Sequence, residues 1–235
     1  MKIGLFTDSH YCKAEVLCKT RRPSLSLQKI AEAMNAFQKE AVDLCVCLGD
    51  LIDVGETVEE SESCMREAVE LIRSYHIPYR IIPGNHDYTV FSAEQFEQIT
   101  QCPIPPYTVE TDTLVLAFLD ASYRSDYRRF DVAGVDWKDS NLPPQQLEYL
   151  NDLLERTEKT VVVLLHECAD SKIDQDHRVN NADELRAILE AHDNVPLVLQ
   201  GHYHKGADHT EKGIRYFTLP AMCEGERNYF TILDL

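Results

Sequence analysis

Seven side chains able to hold a metal ion sit at the ends of five short apolar runs. Residues 1–7 end on Asp8-Ser9-His10, and residues 42–48 end on Gly49-Asp50, with Asp53 close behind. Residues 79–83 end on Gly84-Asn85-His86-Asp87, residues 161–165 on His166, and residues 196–200 on Gly201-His202-Tyr203-His204. Carboxylate, amide and imidazole groups without thiolate suit Mn, Fe, Zn or a mixture of them. A two-ion hydrolytic centre needs such ligands, one anion that reaches both ions, and an open position for water. Asp50, directly after Gly49, stands where a carboxylate can approach two ions at once. In Gly201-His202-x-His204, side chains two apart fall on one side of an extended chain, so they can straddle neighbouring ions. Each piece alone has an ordinary reading. A lone His beside a strand is usually a hydrogen-bonded core residue, Gly-Asp a turn, and Asn-His-Asp a cap. Five occurrences of one strand-end context, with complementary ligand types, make coincidence the poorer explanation.

The elements that must position these groups read as follows. Runs of this length, rich in Val, Ile and Leu, are expected to be buried strands, and open α/β sheets collect ligands at the carboxyl ends of their strands. Pro23-Ser24 is a helix-start signal, followed by Leu27, Ile30, Met34, Phe37 and Ala41 at helical spacing. A second helix is expected through Met65, Ala68, Ile72 and Tyr75, a shorter one from Ser92, and one after Pro143-Pro144 with Leu147, Leu150 and Leu154 on one face. Another passes through Leu185, Ile188 and Leu189. Residues 107–110 and 114–119 flank Thr111-Asp112-Thr113 as a hairpin, and 214–218 and 229–233 read as late strands. Parallel βαβ units with antiparallel additions predict an α/β fold in which two mixed sheets pack together, flanked by helices. The ligand residues run from Asp8 to His204, so a single domain over 1–235 is expected. Residues 121–142 have no clear period, and a loop that long is uncommon unless functional or disordered.

Composition narrows the partners. The chain of 235 residues carries a formal net charge of -17. That balance opposes long-range attraction to nucleic acid or an anionic membrane, so neither is expected as a partner. No apolar run approaches membrane-spanning length, and the first residues lack the apolar core of a signal peptide. The eight cysteines form no C-x-x-C pair, and Cys45-x-Cys47 puts both thiols on one face of a strand, which reads as core. A reducing, cytoplasmic setting is the expectation. Oligomeric state is not encoded in any pattern.

Taken in order, Asp8-x-His10, Gly49-Asp50-x-x-Asp53, Gly84-Asn85-His86-Asp87, His166 and Gly201-His202-x-His204 resemble the motif series of the calcineurin-like metallophosphoesterases. The resemblance implies a four-layer α-β-β-α sandwich and hydrolysis of phosphoesters with two divalent or trivalent metal ions. It implies one ion on Asp8, His10, Asp50 and His204 and the other on Asp50, Asn85, His166 and His202, with Asp50 bridging. It further implies in-line attack by a hydroxide held between the ions, and His86 as general acid for the leaving oxygen. Asp53 or Asp87 would orient and charge-stabilise that imidazole, although a turn or cap is an equal reading of Asp87. Arg21-Arg22 with Ser24-Leu25-x-Leu27 and Asn35 is also similar, more weakly, to the manganese-dependent ADP-ribose/CDP-alcohol diphosphatase branch and its class III phosphodiesterase relatives.

Substrate choice is expected from three loops, 11–22, 123–137 and 172–180. Arg21, Arg22, Arg128 and Arg129 are candidates to clamp a second phosphate, because guanidinium matches phosphate oxygens bidentately. Tyr123, Tyr127, Phe130 and Trp137 are candidates to stack on a base, or else to pack the loop onto the domain. His76, His177, His192 and His209 carry no motif and read as surface or packing residues. The expected substrate is a small phosphorylated molecule, a phosphodiester or a nucleoside-diphosphate-linked compound. A phosphomonoesterase with the same site is the nearest rival, followed by a nuclease and a non-catalytic scaffold.

Overall fold

Alternation decides which way each strand faces. In the computed structural model, which describes residues 1–130 and 136–235, β1 (Lys2–Phe6) turns Ile3 and Leu5 to one side and Phe6 to the other. β2 (Leu44–Cys47) likewise divides Leu44 and Val46 from Cys45 and Cys47. β1 pairs in parallel with β2, and β2 in turn with β3 (Tyr79–Ile81), while β10 (Thr231–Asp234) closes the far edge of β1 antiparallel. The second sheet has six strands. Its parallel centre is β5 (Leu114–Phe118), β6 (Thr160–Leu164), β7 (Leu197–Gln200) and β9 (Ile214–Thr218). Antiparallel β4 (Tyr107–Glu110) and β8 (Ala207–Glu211) form its edges.

The inner faces meet. Leu5, Val46 and Ile82 from the first sheet pack with Leu116, Phe118, Leu164 and Leu199 from the second, all fully buried. Outside the first sheet lie α1 (Ser26–Lys39), α2 (Val58–Ser74), the short α3 (Asn85–Val90) and α4 (Ala93–Thr100). Outside the second lie α5 (Pro144–Arg156) and α6 (Ala182–Glu190). The result is the expected α/β sandwich of helix, sheet, sheet and helix. Each apolar stripe on a helix has one sheet to cover, so the core falls into three clusters, one between the sheets and one under each helical layer.

Local signals account for most helix starts. Pro144 occupies the first turn of α5, where its missing N–H costs nothing. Ser92 and Gln95 exchange backbone bonds as a capping box at α4. Two local expectations change and one strand is new. Helix α1 stops at Lys39, leaving Ala41 in a left-handed turn rather than on the helix face. β8 was not anticipated from pattern, because its residues are exposed or half-buried and polar on both faces. Gly201–His204 is not extended; His202 is left-handed and Tyr203 N donates to Gly201 O. Among the described residues all eight cysteines are free, Cys18 alone being exposed, and Cys45 and Cys47 lie in the core. No described helix is long and apolar enough to cross a membrane. The long loop 121–142 is held by bridges of Tyr123 to Arg129 and Ser122 to Asn141; its residues 131–135 lie outside the described residues.

Candidate metal centre

Parallel pairing of β1, β2 and β3 brings three C-terminal strand ends side by side, and β6 and β7 deliver theirs from the facing sheet. Tight turns follow these strands. Asp8, His10, Asp50 and His202 all adopt positive φ, between 45° and 65°. Non-glycine residues held there cost of order 1–3 kcal/mol each, and such strain gathers at functional sites. Two glycines make the approach possible. A Cβ on Gly84 would strike the Asp50 carboxylate, and one on Gly49, at φ 101°, would strike the His166 ring.

Ligand atoms converge in two groups. In the first, His10 Nε2 lies 3.2 Å from His204 Nε2, 3.7 Å from Asp8 Oδ1 and 3.5 Å from Asp50 Oδ2. His204 Nε2 is also 3.5 Å from Asp8 Oδ1. Ligands about 2.0–2.2 Å from a tetrahedral ion lie about 3.3–3.6 Å apart, so this spacing fits one cation. In the second group, His166 Nε2 is 3.3 Å from Asp50 Oδ2, and Asp50, His166 and His202 all offer ligand atoms within 4.8 Å of one another. Asn85 lines the same cleft. Asp50 therefore belongs to both groups through one oxygen. Its other oxygen, Oδ1, accepts from His86 N at 2.9 Å.

The surroundings aim these atoms inward. His166 Nδ1 donates to Leu48 O at 2.7 Å, and His204 Nδ1 meets Glu224 Oε1 at 2.7 Å. Fixing one ring nitrogen in this way turns the other toward the centre as an acceptor. Asp8 Oδ2 accepts from Thr7 Oγ1 at 2.6 Å and His202 N at 3.0 Å. Among the described residues Asp8 Oδ1, Asn85 Oδ1 and His166 Nε2 are then buried without a hydrogen-bond partner. Buried polar atoms are rarely left so, and cations at the two groups would satisfy all three. The donor set fits divalent ions.

Charges act strongly on one another at this centre: burial would lower His10, His166 and His204, but their aspartate partners outweigh it and raise all three. Burial would raise the Asp8 carboxyl, but contacts with His10 and His204 outweigh it and hold it well below the usual range. Asp53 is lowered too, its burial offset by hydrogen bonds to His10 and His86. Burial, reinforced by His166, lowers His202 to about 3, which keeps its imidazole neutral and free to bind metal. Asp87 goes the other way, pushed up to about 7 by burial and by the neighbouring charge of Asp50.

His86 stands beside this centre. Its Nδ1 lies 3.0 Å from Asp53 Oδ1, while Asp53 Oδ2 accepts from Arg21 Nη1 at 3.0 Å and faces His10 Nδ1 at 3.4 Å. Of the two aspartates considered for His86, only Asp53 is paired with its ring. Asp87 instead accepts from the backbone at Gly84, Leu51 and Ile52, pinning the start of α3 against the loop after β2. That is the cap role weighed for it in the sequence.

The cleft above the centre has a volume of about 290 Å³ and is lined by Arg21, His86, Trp137, His177 and Glu224, among others. Of the four arginines considered, Arg21 is the one that lines it. Arg22 bonds the carbonyls of Lys19 and Arg21, and exposed Arg128 pairs with Asp126. Arg129 pairs with buried Asp120 at 3.2 Å and reaches the Tyr123 hydroxyl. Sequence reasoning missed Glu224 and His177. Glu224 follows no strand of ligand type, so nothing marked it. His177 lies in the 172–180 loop already assigned to the cleft, and that placement was the available signal.

The sequence model of the calcineurin-like phosphoesterase family matches residues 1–206. The chain belongs to that family. This phosphoesterase is 28% identical over 233 residues to the 3′,5′-cyclic adenosine monophosphate phosphodiesterase CpdA of Haemophilus influenzae, covering 95% of this chain and 77% of the relative. It is 29% identical over 203 residues to the CpdA of Escherichia coli K12, covering 84% of this chain and 67% of that one. Its fold is shared with a dimetal phosphatase of Danio rerio, with a TM-score of 0.84, 18% identity, and coverage of 98% of this chain and 91% of the other. A calcineurin-like phosphoesterase with this donor set is a metal-dependent phosphoester hydrolase.

Proposed function

We propose that this phosphoesterase cleaves phosphodiesters of small molecules, cyclic nucleotides foremost, with residues 1–235 acting as one domain. In this reading Asp8, His10, Asp50 and His204 hold one ion, and Asp50, Asn85, His166 and His202 hold the second. Bound there, the ions supply positive charge against the phosphoryl oxygens and acidify the attacking water. The observation that carries the reading is the His86–Asp53 pair beside Asp50. With Nδ1–H donating to Asp53, the imidazolium form of His86 can give up its Nε2 proton to the leaving oxygen of an alkoxide too basic to depart unaided. Arg21 braces Asp53 and adds positive charge to the cleft wall. The CpdA relatives, named for a cyclic diester, support the same bond type. Free thiols and the acidic surface suit a cytoplasmic setting and a small substrate rather than nucleic acid.

Hydrolysis of bis-p-nitrophenyl phosphate and p-nitrophenyl phosphate, before and after chelation and Mn2+ replenishment, tests this. Metal-dependent turnover that favours the diester is expected. Turnover of the monoester alone would replace the proposal with a phosphomonoesterase.

A further inference from the structure

Beside His202 the cleft wall changes character. Trp137 and His177 lie there with ring centroids 5.2 Å apart, and each is 5.5 Å from the His202 ring. His177 also meets Tyr203 at 5.1 Å. Three rings thus form a triangle against the candidate centre, opposite in chemistry to the Arg21–Asp53–His86 side.

Packing alone explains this cluster poorly. The loops that carry Trp137 and His177 are already fastened together. Lys138 Nζ pairs with Asp176 Oδ2 at 2.7 Å, Asn180 N donates to Ser140 O at 2.7 Å, and Leu142 N donates to Asn181 Oδ1 at 2.9 Å. Asp174 Oδ1 holds His177 Nδ1 at 2.7 Å, fixing the ring's orientation. Trp137 is only half-buried, and its described ring contacts are with the imidazoles of His177 and His202. Those imidazoles are tilted to it by 51° and 62°, so neither stacks on it. Lys138 Nζ stands over the indole at 5.5 Å. Of the other stacking candidates, Phe130 is buried, Tyr123 is engaged by Arg129, and exposed Tyr127 does not line the cleft.

We infer that Trp137 and His177 form a stacking wall for a planar heteroaromatic ring, so that this phosphoesterase selects diesters carrying a nucleobase. The inference rests on the proposed diesterase reading. The phosphoryl group lies over the Asp50 ligands, the leaving oxygen faces His86, and the base lies against the indole. An indole face stacks on any base with similar energy, so the wall selects for a base over none and discriminates weakly among bases.

Trp137 is the only tryptophan in the chain, which makes the wall directly readable. Adenosine 5′-monophosphate and ribose 5-phosphate would be titrated into the metal-loaded protein while indole emission is followed, with excitation at the red edge of tryptophan absorption. The nucleotide is expected to quench the emission saturably and the sugar phosphate to leave it largely unchanged. Equal responses to both, or no response to the nucleotide, would overturn the wall whatever bond the enzyme cleaves. In turnover, kcat/KM for adenosine 3′,5′-cyclic phosphate would be compared with that for the baseless methyl riboside 3,5-cyclic phosphate. Trp137→Ala should shrink this ratio about 10-fold or more, and Trp137→Phe should restore much of it. An unchanged ratio in Trp137→Ala would also overturn the wall. Failure of the wild type to cleave either diester, with quenching intact, would count against the diesterase reading and leave the wall standing.

Discussion

The floor and the walls of the cleft are built by different rules. On the floor, Asp8, His10, Asp50 and His166 are buried, follow strands within a few residues, and are held by backbone groups such as Leu48 O and His86 N. On the walls, Trp137 and His177 come from long loops and are partly exposed, and the loops are joined by side-chain pairs such as Lys138–Asp176. On the proposed reading, a floor tied to strand ends sets the reaction. A wall made of paired loops can change its residues without disturbing the sheets, and on the same reading it sets the substrate.

Three substitutions probe that division, from the largest expected effect to the smallest. His86→Ala on the floor should lower turnover about 10²–10⁴-fold for poor leaving groups and much less for p-nitrophenolate, with metal content unchanged. Equal losses across a leaving-group series would remove His86 from the acid role. Glu224→Ala releases the outer nitrogen of His204 and should weaken metal affinity about 10–100-fold, measured by competition with a chelator. Unchanged affinity would show that the floor is oriented without it. Lys138→Ala cuts one exposed pair between the wall loops and should cost less than about 1 kcal/mol of stability in thermal unfolding. A larger loss of stability would mean that the wall is part of the folding core, and the contrast drawn here would blur.

The same division explains what could be read from the sequence. Each floor residue follows an apolar run, so the period that marks the strand also marks the ligand behind it. The division of the apolar core into three clusters follows from the same alternation, whereas strand order within the sheets is set by pairing that no pattern announced. Glu224 was invisible because it reaches His204 by way of the turn after β9, with no spacing rule linking them. His177 looked like surface because its partners, Trp137 and His202, lie 40 and 25 residues away and meet it only through loop pairing. Asp53 and Asp87 could not be separated on paper, since Asp87 adjoins His86 in sequence while Asp53 closes the Gly49-Asp50-x-x-Asp53 motif, and either carboxylate could reach the ring. Their bonds separate them, one to the imidazole and the other to the backbone. β8 lacked any apolar face to announce it.

Sharing of Asp50 between two ions is the claim on which the rest depends, and counting metals tests it most directly. Wild type and Asp50→Asn would be loaded with Mn2+, freed of excess ion, and measured by elemental analysis beside a thermal unfolding check of the variant's fold. About two ions per chain in the wild type are expected from two such donor groups, with both depleted in a folded Asp50→Asn protein and diester turnover down more than about 100-fold. Full two-ion occupancy in the variant would contradict the shared carboxylate.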